Sequence, residues 1–315
     1  MPGFSDRILI TGASGFIGAH LTRSALASGA EVHVLLRKEG IPPRLHDLGP
    51  ALRRFRGDVL DQAGLTTWVR RVRPTHFIHS VNAREGNPFA DARLHVTGTF
   101  NVLEALETAD PSAVLFLGSS TEYAPQDRPI SEDDLLGSIS PHGASKAAAS
   151  LIATEWARRR NAPLFMLRLF QVFGPWDRED RLLPTLFRCA LGNRSIPIPP
   201  EWARRDWIHI DDVVRACLAS LDRGLEPGCI LNIGSGIQRS FGEVIVSFER
   251  ILGHRIKPGP AHPGRPWDRP NWCADIRRAK KVLGWQPAIR FEEGLESTWQ
   301  WYRKHPGIAA AGRHA

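Results

Sequence analysis

Three glycines, Gly12, Gly15 and Gly18, follow an apolar run ending in Thr11 and precede an apolar helical pattern (residues 8–21, ILITGASGFIGAHL). Without side chains there, backbone N–H groups can approach a pyrophosphate, and the dipole of the following helix favours its charge. The triplet alone is a weak signal; the strand before it and the helix after it make it a dinucleotide cradle, with Phe16 and Ile17 in its first helical turn. In such a fold an acid about 20 residues beyond the glycines binds the ribose 2′-hydroxyl, whereas an arginine there suits a 2′-phosphate. Arg37 stands at that distance from Gly18 and no acid occurs before Glu39, which favours NADP over the alternative, NAD. Asp58 is placed to accept from the adenine amino group, and Val59 and Ser80 complete the cofactor-binding set.

The elements that must position these groups alternate. A second strand is predicted over Glu31–Leu36, a third over 52–55, a helix to about residue 73, and a fourth strand over 76–80. A helical pattern covers 91–107, a fifth strand covers 113–117, a long helix Pro141–Arg160 and a sixth strand Leu164–Leu169. Repeated β-α units mean a doubly wound α/β fold, a Rossmann-type parallel sheet with helices on both faces. Past Phe170 prolines and tryptophans become frequent and strands short. Helices are predicted at 211–222, 240–252 and 291–303, with a strand at Ile230–Ile233. The reading is a dinucleotide-binding domain over 1–172, to which 206–234 returns, and a smaller α/β substrate domain over 173–315 closing on the sheet's carboxyl edge. The tail from 307 reads as frayed.

The chain has 315 residues, 42% hydrophobic and 23% charged, the composition of a globular protein. No apolar run approaches a membrane span, and the first residues carry no secretory pattern. The four cysteines, Cys189, Cys217, Cys229 and Cys273, are too widely spaced for a metal knuckle and read as thiols of a reducing cytoplasm. The net charge of +8 comes from short arginine clusters and not from long blocks. That argues against nucleic acid and suits small anionic ligands such as nucleotides.

Several further segments stand in a telling order: GDVLD (57–61), HVTGTFNVLEA (95–105), GSSTEY (118–123), SPHGASK (140–146), LRLFQVFGP (167–175), RDWIHIDDVVRA (205–216), LNIGSG (231–236) and LGWQP (283–287). With TGASGFIG (11–18), they make the chain resemble the extended short-chain dehydrogenase/reductases, in particular the nucleotide-sugar epimerases, dehydratases and ketoreductases. The resemblance implies hydride exchange between a sugar carbon and a nicotinamide, with a nucleotide-diphosphate sugar as substrate. It implies action at C4, as a 4-ketoreductase or C4 epimerase, or else as a 4,6-dehydratase. It also implies a homodimer, built on the helices at 91–107 and Pro141–Arg160 of each subunit.

In that family a tyrosine four residues before a lysine moves the sugar-oxygen proton, and a Ser or Thr after the fifth strand hydrogen-bonds the same oxygen. Lys146 is present, and Ser120 matches the hydroxyl, with Ser119 its neighbour; His142 stands where the tyrosine belongs. Histidine titrates near neutral pH and can shuttle the proton. Its ring nitrogen reaches roughly 2–3 Å less far than a phenol, so it needs a shifted substrate or a bridge. Two other readings stand beside it: Tyr123 or Glu122 takes the role, or the protein binds cofactor and sugar with weakened redox chemistry. Dehydratases place a glutamate near Glu122 to take a C5 proton, though Thr121 occupies the position where a partner acid is expected. For the substrate, Arg205 and Arg265 correspond to arginines that grip the diphosphate, Asp268 to a ribose-binding acid, and Gln171 to an asparagine touching the diphosphate. Leu182, Leu183 and residues 196–198 are expected to flank the base, with Trp176 and Trp202 either stacking on it or packing in loops. His95 replaces a further family asparagine.

Overall fold

The computed structural model describes residues 6–83, 87–261, 263–266 and 268–306. The tail from 307 and the side chains of 197 and 198 lie outside the described residues. The first part alternates strand and helix: β1 (Arg7–Thr11), α1 (Phe16–Ala27), β2 (Glu31–Leu36), β3 (Arg53–Arg56), α2 (Gln62–Val72), β4 (His76–His79), α3 (Pro88–Ala92), α4 (Gly98–Leu106), β5 (Ala113–Ser119), α5 (Pro141–Arg160) and β6 (Leu164–Leu169). There follow β7 (Gln171–Phe173), α6 (Leu182–Leu191), β8 (Ile196–Ile198), β9 (Arg204–His209), α7 (Ile210–Asp222), β10 (Ile230–Ile233), β11 (Gln238–Ser240), α8 (Phe241–Leu252), β12 (Pro258–Ala261), α9 (Arg277–Leu283) and α10 (Phe291–Lys304).

Seven strands form one parallel sheet in the order β3-β2-β1-β4-β5-β6-β10. The chain direction across the sheet reverses between β1 and β4, and ligands of such sheets bind at the strand carboxyl ends at that reversal. Both faces are covered, so strands are apolar throughout and not alternating. Ile8 and Ile10 of β1 enter the core beneath α1 and α7, and Leu9 enters the opposite core beneath α2, α4 and α5. A separate aromatic core gathers Phe173, Phe187, Trp207, Phe248, Phe291, Trp299 and Tyr302. Tyr302, in the last helix, is therefore a packing residue. α9 and Trp285, late in the chain, pack back on the first core.

Two details differ from the sequence expectation. The third strand starts one residue later, because Leu52 turns into the core while Arg53–Arg56 pair with β2. The helix at 91–107 is interrupted by a wide π turn over Arg93–Thr97, and such turns recur at functional sites. Here it carries His95, whose Nδ1 lies 2.8 Å from Ser145 Oγ on α5.

At the reversal, Gly12 has φ +77°, and a Cβ there would lie 2.6 Å from the Ser80 carbonyl carbon and oxygen. A Cβ on Gly18 would lie 2.2 Å from the Gly12 oxygen. α1 begins after Gly15 with no side-chain cap, leaving its first N–H groups for an anion. The cradle thus fits a dinucleotide pyrophosphate. Gly12→Ala meets backbone that cannot yield and is expected to cost about 1–3 kcal/mol and to weaken dinucleotide binding more than tenfold. Chemical denaturation and a fluorescence titration with NADH check this; two unchanged values would refute the assignment.

The crossover after β7 carries a second unusual backbone: Trp176 has φ +67°, which costs an ordinary residue about 1–3 kcal/mol. Its ring packs on Trp301 at 5.0 Å. Arg44 Nε donates to its carbonyl at 3.1 Å and Arg44 Nη1 to the Ser14 carbonyl at 3.4 Å. His20 holds the neighbouring Pro175 carbonyl at 2.9 Å.

Candidate active site

α5 starts at a Ser140 cap and Pro141, so its first turn is fixed, and His142 and Lys146 lie one turn apart on one face. Lys146 is buried, with Nζ donating to the Val81 carbonyl at 3.0 Å and the Leu117 carbonyl at 3.1 Å, at the ends of β4 and β5. Burial lowers its pKa to about 8. His142 Nε2 is 2.7 Å from Asn82 Oδ1, and Nδ1 is 3.4 Å from Thr121 Oγ1. Thr121 Oγ1 is in turn 2.8 Å from Ser119 Oγ at the end of β5. A continuous row of polar groups therefore runs Ser119, Thr121, His142, Asn82 along the carboxyl edge. Burial first, then the positive charges of Lys146, Arg181 and Arg178, lower the His142 pKa to about 4. The imidazole is neutral at pH 7.

His95 stands edge-on to His142, ring centroids 5.3 Å apart. The Ala83 N–H donates to its Nε2 at 3.1 Å, so the proton sits on Nδ1 and is given to Ser145 Oγ. The Ser145 hydroxyl donates to the His142 carbonyl at 2.9 Å. Burial and then Lys146 lower the His95 pKa to about 2, and the same two causes lower that of His79, bonded to Thr11 Oγ1, to about 3.

Three histidines kept neutral have a consequence for stability. Their folded pKa values lie below 6.5, so the unfolded chain binds protons first as the pH falls. Their contribution is complete above pH 6.5 and is lost as pH drops toward the folded values. Each steepens the acid loss by about 1.4 kcal/mol per pH unit between pH 6.5 and its folded pKa. His95→Asn is expected to flatten the stability profile between pH 4 and 6 by about that slope, read from urea midpoints. An unchanged slope would count against the neutral, buried His95.

Other sequence candidates fall elsewhere. Ser120 is buried and its Oγ accepts from the Trp272 indole at 3.0 Å. Ser119, one residue earlier, is the hydroxyl aligned with His142. Glu122 is fully buried, accepting from the Ser119 N–H, Ser150 Oγ and Arg168 Nε, each at 2.7 Å. Tyr123 is fully buried, its OH donating to Asn232 Oδ1 at 2.8 Å, with Arg168 over its ring at 4.6 Å. Burial pushes that phenol up to about 12. Neither the Glu122 nor the Tyr123 side chain reaches the row, because both turn inward, Glu122 to Arg168 and Ser150 and Tyr123 to Asn232. Ser119 and Thr121 face outward while Ser120 is buried, and this separates Ser119 from Ser120. Asn82 is not among the sequence candidates, and Thr121 enters there only as the residue standing where a partner acid is expected.

The cofactor candidates follow the carboxyl ends of β1, β2, β3 and β4. Ser80 Oγ donates to the Thr11 carbonyl at 2.8 Å, and Asp58 Oδ1 accepts from the Leu60 N–H at 3.0 Å, so both side chains also shape their turns. Val59 is buried, its carbonyl bonded to Asn101 Nδ2 at 2.8 Å. Arg37 is exposed immediately after β2, while Glu39 pairs with Arg56. On the substrate side Arg205 and Asp268 meet, Nη2 to Oδ1 at 2.6 Å, and Asp268 also accepts from the Arg265 N–H at 2.7 Å. Gln171 opens β7 half-buried, opposite Trp207. Leu183 is the exception: it is 1% exposed within the aromatic core and cannot flank a base. Trp176 packs between layers, and Trp202 is exposed.

Residues 8–234 match the sequence profile of the NAD dependent epimerase/dehydratase family. The chain belongs to that family. Over 94% of its length it is 28% identical to 96% of a UDP-glucuronate 4-epimerase of Thermodesulfobacterium geofontis. It is 27% identical to a dTDP-glucose 4,6-dehydratase of Neisseria gonorrhoeae, covering 94% of this chain and 95% of the relative. Among solved structures, MoeE5 in complex with UDP-glucose and NAD is 30% identical with a TM-score of 0.86, covering 95% of this chain and 99% of that one. Family enzymes work on nucleotide sugars with a nicotinamide cofactor, and the glycine cradle at the sheet reversal is built for such a dinucleotide. Among the described residues no helix is long and apolar enough to cross a membrane.

Proposed function

We propose that the chain is an NAD(P)-dependent C4 epimerase of a nucleotide-diphosphate sugar. The observation that carries this is the row Ser119–Thr121–His142, hydroxyls and a neutral imidazole able to take one proton and give it back. When bound, the nicotinamide supplies hydride acceptance and return. Gly12, Gly15 and Gly18, with the N–H groups of Phe16 and Ile17, would hold its pyrophosphate, and Lys146, whose Nζ donates to the Val81 and Leu117 carbonyls, would offer its remaining N–H to the ribose. The dehydratase reading needs a carboxylate to take the C5 proton, and the Glu122 carboxylate is closed in by Arg168 and Ser150. Arg205 and Arg265 bring positive charge for the diphosphate; Asp268 holds the Arg205 guanidinium and accepts from the Arg265 backbone N–H.

A 4-ketoreductase is the second reading, favoured by exposed Arg37, which suits a 2′-phosphate and hence NADPH. Incubation with UDP-glucose, UDP-glucuronate and dTDP-glucose, with NAD or NADP added, separates them. C4 interconversion without net change in reduced nicotinamide is expected. Net consumption of NADPH on a 4-keto sugar would replace the epimerase by a reductase. A 4-keto-6-deoxy product would replace it by a dehydratase, and binding without turnover by a cofactor- and sugar-binding protein. We further assign a homodimer, formed where Phe89, Phe100 and Leu151 expose apolar surface on α3, α4 and α5, and a cytoplasmic location, which suits four free thiols. A monomer in solution scattering would refute the dimer.

A further inference from the structure

We propose that Thr121 is the hydroxyl through which His142 exchanges a proton with the sugar oxygen, and that Asn82 holds the imidazole in the tautomer this needs. The inference rests on the C4 reading above and says how a histidine serves there. An imidazole at the start of α5 ends roughly 2–3 Å short of where a phenol would reach. A hydroxyl already stands in the gap: Thr121 Oγ1, 3.4 Å from Nδ1 and 2.8 Å from Ser119 Oγ. Asn82 Oδ1 can only accept, so at 2.7 Å it takes the Nε2 proton and leaves the Nδ1 lone pair facing Thr121. His95, the other imidazole beside the row, is excluded because the Ala83 N–H occupies its free lone pair. Its place is to brace α5 through Ser145 and the His142 carbonyl.

The step balances. A bound nicotinamide would supply the hydride acceptor, so that loss of the C4 hydrogen as hydride oxidises C4 to a ketone. The O4–H proton passes to Thr121 Oγ1, the Thr121 proton passes to His142 Nδ1, and the O–H electron pair becomes the carbonyl π bond. The imidazolium keeps its Nε2 proton on Asn82, and the reverse sequence returns the proton after the ketone turns. The charged groups facing His142 are Lys146 on its own helix and Arg178 and Arg181 from the loop before α6; all three press it to release that proton. Thr121 is thus a catalytic residue and Asn82 a positioning residue.

Thr121→Val, which keeps the shape and removes the hydroxyl, is expected to lower kcat at least tenfold with KM within threefold, and Thr121→Ser to restore most of it. In a His142→Tyr background, where the phenol spans the gap itself, Thr121→Val is expected to cost several-fold less than in the wild-type background. Asn82→Asp places a carboxylate on Nε2 and is expected to move the acid limb of kcat/KM up by about 1–2 pH units. Without any ligand, histidine 15N NMR at pH 7 is expected to show His142 as the Nε2–H tautomer, and Asn82→Ala to mix the two tautomers. Wild-type turnover undiminished in Thr121→Val, or an Nδ1–H tautomer in the wild type, overturns the relay. Absence of turnover in the wild type overturns the epimerase reading instead, and the NMR result then decides the tautomer by itself.

Discussion

His142→Ala is expected to lower kcat by about 10²–10⁴-fold, the range lost when a positioned acid–base group is removed. Binding of NADH is expected to stay within threefold, because the pyrophosphate cradle lies on β1 and α1 and makes no use of the imidazole. The pH profile adds a check. With the imidazole held down at about 4 by burial and three cations, wild-type kcat/KM is expected to rise through about pH 4 and stay level through neutrality. His142→Tyr replaces that group by a phenol and moves the rise toward alkaline pH. The same profile in both proteins would remove His142 from the chemistry.

Glu122→Ala is expected to cost about 3–5 kcal/mol of stability, the penalty for leaving a buried charge without its partner. Arg168 is 2% exposed and Glu122 0%, so water cannot replace the lost carboxylate. Their bond at 2.7 Å crosses from the turn after β5 to β6, and Ser150 brings α5 to the same carboxylate. Loss of this knot is expected to lower the urea midpoint sharply while kcat of the folded fraction falls far less than in His142→Ala. A Glu122→Gln protein with normal stability and no turnover would reverse the assignment and return Glu122 to the active site.

Much of the architecture was legible because its signals are local. Glu31–Leu36, Pro141–Arg160, Leu164–Leu169 and Ile230–Ile233 carry their own boundaries: short apolar runs for the strands, Ser140-Pro141 for the long helix. The glycine spacing located the reversal point because a Cβ there has nowhere to go. The site was harder. Ser119 and Ser120 are adjacent and chemically identical, and only the inward or outward turn of the chain after β5 separates the one facing His142 from the one held by Trp272. Glu122 and Tyr123 look reactive in the sequence, but Arg168 and Asn232, 46 and 109 residues away, absorb them. Leu183 misled for a similar reason, since its neighbours in the aromatic core come from α8 and α10, far along the chain.

Arg44 bears on how long a cofactor stays bound. By donating to Ser14 in the glycine cradle and to Trp176 in the crossover, one side chain fastens the glycine loop to the crossover after β7. A dinucleotide seated there is not free to leave by a swing of the loop alone, because that motion must also unseat the left-handed Trp176 and its contact with Trp301. Such a tether is expected to slow the departure of a bound dinucleotide, which suits a catalyst that reuses one captive nicotinamide and hinders one that discharges spent cofactor at every turnover.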